Sequence, residues 1–160
     1  MVELMVVIAI IGILTAVAAP SFSAYMARMM IQDQASALAR AINLARSEAV
    51  RRSRPVSVCP SDQPESATPT CSTVWTNGWI VYVDENTPNQ IDGNDTVIRV
   101  QPGWPNGGPI TSDTSSNPIR FLSNGMGVGM AQTFTIAPRN GDTKLNKTIT
   151  LSSTGRWTSQ

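Results

Sequence analysis

From Leu4 to Ala19 no charged residue interrupts the chain. With Met1 and Val2, the stretch "MVELMVVIAIIGILTAVAAP" approaches the ~20 residues that span a bilayer. Its single acid is Glu3, and the next charge is Arg28. Past Pro20 the helical pattern continues. Phe22, Tyr25, Met26, Met29, Leu38, Ile42, Ala45 and Ala49 recur mostly at three- and four-residue steps. The pattern predicts one helix from about Val2 to Ser53, ~75 Å long at 1.5 Å per residue. Its first third is apolar all round and the rest amphipathic. Pro20 removes an internal hydrogen bond and should kink the helix. Pro55 ends it, because the residue before a proline avoids the α region.

Beyond Pro55 the hydrophobic period switches to two. "VSV" at 56–58, "WIVYV" at 79–83, "VIRV" at 97–100, "IRFL" at 119–122, "TFTIA" at 133–137 and "KTITLS" at 147–152 read as strands. Turn signals such as "DGND", "PNGGP", "SNG" and "RNGD" separate them. Short links favour antiparallel pairing, and an antiparallel sheet needs a cover for its apolar face. The amphipathic half of the helix is the available cover. Residues 60–70 and 103–118 read as long Pro/Ser/Asn loops. The expected class is α+β. Its divisions are an apolar, membrane-length helix segment (1–21), an amphipathic continuation (22–54) and a β-rich globular domain (55–160).

Composition narrows the chemistry. The 160 residues carry a net charge of +1, so no global imbalance selects a nucleic-acid or acidic partner. The absence of histidine removes Ser-His-Asp and Cys-His catalysis and every His-based metal site. A hydrolase would need a Ser-Lys or carboxylate pair, and neither Lys144 nor Lys147 lies in a catalytic motif. No cofactor and no enzymatic activity are expected. Cys59 and Cys71 are too few for a structural zinc site. A pair closing a short loop reads best as a disulfide in an oxidising compartment, the alternative being two buried thiols. A cleaved signal peptide is the alternative for the N-terminal stretch, but it lacks a basic start and its apolar run is long.

The N-terminal segment resembles that of type IV pilins and type II secretion pseudopilins: a glutamate near the start, an unbroken apolar helix, then proline. Glu3, Leu4, the run Val6–Ile11, Gly12 and Pro20 stand where that pattern wants them. Met1 occupies the usual leucine position, and the basic leader, cleavage-site glycine and Phe-Thr of the family are not in the sequence. The resemblance implies prepilin peptidase acting on the precursor, residence in the inner membrane, and extraction into a filament with apolar helices inward. It assigns Glu3 to the charged N-terminal amine of a neighbouring subunit, so that Glu3 and Pro20 serve assembly. A carboxylate in a dry bundle is costly alone and tolerable when paired. On physics alone, Glu3 at the membrane surface is the competing reading.

A second resemblance spans nearly the whole chain. "LARSEAVRR" at 44–52, with Ala45, Arg46, Glu48 and Ala49, then Cys59, Cys71, Trp75, Gly78, Trp79, Asp84, Arg99 and Gly155-Arg156 look like minor pilins and pseudopilins of the FimT/FimU/GspH group. It implies a long helix followed by a β-domain of two antiparallel sheets. It also implies a single-pass protein with a periplasmic C-terminal domain, later placed in a pilus or pseudopilus near the tip. The implied partners are other major and minor pilins or pseudopilins.

Three further groups carry alternatives. Arg46, Glu48, Arg51, Arg52 and Arg54 cluster at the helix end, where they either meet an anionic partner or answer the helix dipole. Asp84, Asp92 and Asp95 are a weak calcium candidate or a solvated turn. Some FimT-like relatives bind DNA through a basic C-terminal Gly-Arg-x-Arg motif. Here Gly155 and Arg156 match and Thr158 replaces the second arginine. Arg139, Lys144, Lys147 and Arg156, with Trp157 for base stacking, are the candidate DNA-binding set.

Overall fold

A computed structural model describes residues 2–114, 118–129 and 131–160, with residues 15–21 described as backbone only. The expected segment 1–21 therefore includes Met1 and side chains, Pro20 among them, that lie outside the described residues. One helix, α1 (Val2–Arg52), runs without a break in its helical backbone past Pro20. It stops where expected. Pro55 bars the α region before it, and Ser53 turns into the left-handed region at φ 54°. Among the described residues no helix is long and apolar enough to cross a membrane.

Among the described residues nine strands follow, in two antiparallel sheets. They are β1 (Val56–Pro60), β2 (Gly78–Val83), β3 (Thr96–Pro102), β4 (Ile110–Ser112), β5 (Ile119–Phe121), β6 (Gly127–Val128), β7 (Gln132–Ile136), β8 (Lys147–Leu151) and β9 (Trp157–Ser159). The first sheet has the order β3-β2-β1-β5-β6 and the second β4-β7-β8-β9. The six strands predicted from alternation are present. Three others are added, and two of these correct the reading. β4 lies inside what reads as the 103–118 loop, and β9 holds Trp157, which reads as a base-stacking residue. Both are three residues long with a single large apolar side chain, too little for a period to register.

The lower half of α1 crosses both sheets. Leu38, Ile42, Ala45 and Ala49 are buried against Val58, Val81 and Phe121 of the first sheet and Phe134, Ile149 and Leu151 of the second. Small alanines let the helix approach closely. Trp75, Trp79 and Phe134 fill the seam, with Trp75 edge-on to Phe134 at 4.9 Å between ring centres. β1 and β2 are buried on both faces. On the outer face Cys59, Ile80 and Tyr82 form a second small cluster, covered by Cys71 and Ile91. The Cys59–Cys71 disulfide is formed, with Cα atoms 5.5 Å apart. It ties the 61–74 loop down as the lid of that cluster.

Candidate functional site

The largest feature the fold leaves unused is the upper half of α1. Val2, Leu4, Met5, Val6, Val7, Ile8, Ile10, Ile11, Ile13 and Leu14 are exposed on every side. Phe22, Tyr25, Met26 and Met29 are exposed as well, although their spacing predicts a face packed on the sheet. The reason is reach. Among the described residues, the β-domain loops at 106–108 and 138–140 face α1 between Ser23 and Ile31, and full burial begins at Ile31. An apolar surface of this extent in water is a docking surface, since a helix apolar all round belongs in a core or a membrane. Glu3 sits exposed in the first turn of α1, where an acid also favours the helix dipole.

At the other end of α1 the basic cluster is largely consumed within the chain. Arg51 and Arg52 both reach Glu48, at 2.6 Å each, and Arg54 pairs with Glu85. Hydrogen bonds from the Arg51 guanidinium and then Arg52 hold the Glu48 carboxyl down at about 2.

The acidic residues do not converge. Asp84 is buried, and its Oδ2 accepts from the Ser57 hydroxyl at 2.7 Å and the Asn89 amide at 3.0 Å. The same oxygen pairs with Arg120 Nε at 2.9 Å. Burial first, and the Asp84 charge next, push the Tyr82 phenol far above its usual range. Asp95 instead braces a turn, accepting from the backbone N–H of Glu85 and of Asp92 at 3.0 Å each. Among the described residues no group of three or more carboxylate, thiol or imidazole side chains is placed to hold a metal ion.

The candidate DNA-binding residues are split. Strand β8 separates Lys147, at its start, from Ser152, whose N–H donates to the Arg156 carbonyl just past its end. Five residues of strand put the backbones of Lys147 and Arg156 ~17 Å apart. Arg139 donates to Asn106, and Lys147 Nζ donates to Gln32 at 2.6 Å. Lys144 is exposed in the short turn Thr143–Leu145. Arg139, Lys144 and Lys147 thus share the end where α1 leaves the β-domain. Trp157, read as a stacking residue, is instead half-buried against the core, and its indole N–H donates to Asn43 at 3.0 Å. The ring is docked on α1 because β9 pairs with β8 through Leu151 and Trp157.

Two glycines of the resembling motif are there for packing. Gly78 has φ 120°, and a Cβ would lie 2.3 Å from the Gln101 carbonyl. Gly155 has φ 83°, and a Cβ would lie 2.5 Å from the Phe121 ring. The role of Arg120 carries no signal in the sequence. Arg120 lies 36 positions from Asp84 and only strand pairing unites them. Arg28 had a signal, being the first charge after Glu3.

The comparisons agree with this geometry. Two crystal forms of the type IV minor pilin FimU from Pseudomonas aeruginosa share the fold. One has a TM-score of 0.65 and 21% identity, covering 83% of this chain and 90% of that one. The other has a TM-score of 0.61 and 22% identity, covering 81% and 91%. No curated protein sequence matches significantly. The family described as type II transport protein GspH matches residues 34–155. That stretch takes in most of the buried half of α1, the first sheet, the second sheet apart from β9 and the disulfide loop, so the chain belongs to the GspH family of minor pilins and pseudopilins.

Proposed function

We propose that the chain is a minor pilin, a structural subunit that primes or caps a type IV pilus by bundling its N-terminal helix with those of other pilins. The observation that carries this reading is the exposed apolar side chains of α1 between Val2 and Leu14 and at Phe22, Tyr25, Met26 and Met29. Residues 1–21 are the segment held in the inner membrane before assembly and in the filament core after it. Residues 22–54 continue the helix, and residues 55–160 form the periplasmic or surface domain that selects neighbours. Glu3 pairs with the N-terminal amine of an adjoining subunit and sets the register, a well-attested use of a buried charge. Prepilin peptidase releases the mature N-terminus from a precursor.

A second reading is supported by the family's description as type II transport: a minor pseudopilin of a secretion system, using the same helix surface. Gene neighbours separate the two. Glu3→Gln and Glu3→Ala test the shared mechanism. Both variants should reach the membrane at wild-type levels and be depleted from sheared filaments. Normal incorporation of both would refute the pairing.

A further inference from the structure

Where α1 emerges from the β-domain, three cations from separate elements stand around it. Arg28 of α1 and Lys147 of β8 line one cavity of about 240 Å³. Arg139, from the loop after β7, lines a second of about 320 Å³, whose helix wall carries Met26, Met30 and Ile31. Lys144 lies in the turn between them in sequence, with its backbone N–H fixed by Asp142. Asp142 is the one carboxylate on that turn. Asp33, farther along α1, is engaged with Arg40 and with the Trp104 indole N–H. The second cavity therefore pairs a largely apolar wall on the helix with a cation, the polarity order of a bilayer interface, and the first sets two cations beside it.

We propose that this end of the β-domain is a docking surface for anionic phospholipid headgroups, used while the subunit waits in the membrane. The proposal rests on the membrane residence proposed above. The spacing suits it. Arg28 lies ~9 Å along the helix beyond Phe22, and the headgroup layer outside the hydrocarbon is ~5–7 Å thick. The cations thus stand within about a Debye length of the headgroups at physiological salt. Phe22 and Tyr25 occupy the level between, where aromatic rings favour the interface. Duplex DNA offers phosphates too. The lipid is favoured because these cations ring the exit of an exposed apolar helix, while Arg156 and Trp157, which a DNA site would add, lie elsewhere or are already docked.

The test is hydrogen–deuterium exchange of the full chain in nanodiscs of phosphatidylcholine alone and of phosphatidylcholine with phosphatidylglycerol. Amides 139–147 should exchange more slowly in the anionic discs only, and the difference should fade at high salt. A triple variant, Arg139→Ser, Lys144→Ser and Lys147→Ser, should lose this protection, because a cation near an anionic surface is worth about fivefold in binding. The charge-retaining set Arg139→Lys, Lys144→Arg and Lys147→Arg should keep it, which separates charge from folding. Equal exchange in both discs, or protection retained in the serine variant, would overturn the proposal. Protection by duplex DNA and not by phosphatidylglycerol would assign the surface to nucleic acid instead. Failure of the chain to enter either disc would overturn the membrane reading, and this proposal with it.

Discussion

Asp84 shows how one side chain can look functional in sequence and be structural in the fold. Its carboxylate is 1% exposed and holds together Ser57, Arg120 and the loop at Asn89. Removing one partner of a buried pair leaves the other charge uncompensated. Asp84→Ala should therefore destabilise the fold by about 3–5 kcal/mol in urea unfolding. Gly155 makes the same point for backbone. Gly155→Ala forces a side chain into positive φ against Phe121 and should cost about 1–3 kcal/mol. Glu48 gives a pH signature. Its folded pKa of about 2 lies below the ordinary 4.5, so its contribution is complete above pH ~4.5 and is lost as pH falls toward ~2. The pair is solvent-screened, so the effect is about 0.3–1 kcal/mol. Comparing wild type with Glu48→Gln in unfolding at pH 7 and pH 3 should show the difference shrinking at the lower pH.

At the scale of elements, the disulfide is the best-defined stabiliser outside the main core. It closes a loop of sequence separation 12, worth about 3 kcal/mol in the chain-entropy model. Cys59→Ser with Cys71→Ser should lose about that much in urea unfolding and expose Tyr82 to solvent, readable by its near-ultraviolet signal. Much of this level was legible in the sequence. The switch from period 3.6 to period 2 at Pro55 located the helix end, and six alternating runs located six strands. The rest was hidden for physical reasons. β4, β6 and β9 are two or three residues long and exist through pairing rather than propensity. The spacing of Phe22, Tyr25, Met26 and Met29 marks an apolar face but not what covers it, and here the β-domain stops short. The docking of Trp157 on Asn43 is a contact over 114 positions that only tertiary structure creates.

At the scale of the whole molecule, the two halves of α1 answer different demands. Residues Ile31–Ala49 complete the core of this chain. The exposed apolar residues of Val2–Leu14, with Phe22, Tyr25, Met26 and Met29, lie outside that core, and the proposed function gives them other helices as partners. The β-domain positions that surface and carries the cations that mark its base. The most direct measurement is photo-crosslinking in cells that make filaments, with a photoreactive residue replacing Val7 or Ile10 in the full chain. The account predicts adducts between this position and the helices of other pilins or pseudopilins, recovered in the sheared filament fraction. A chain confined to the membrane fraction, giving no such adducts while filaments form, would contradict it.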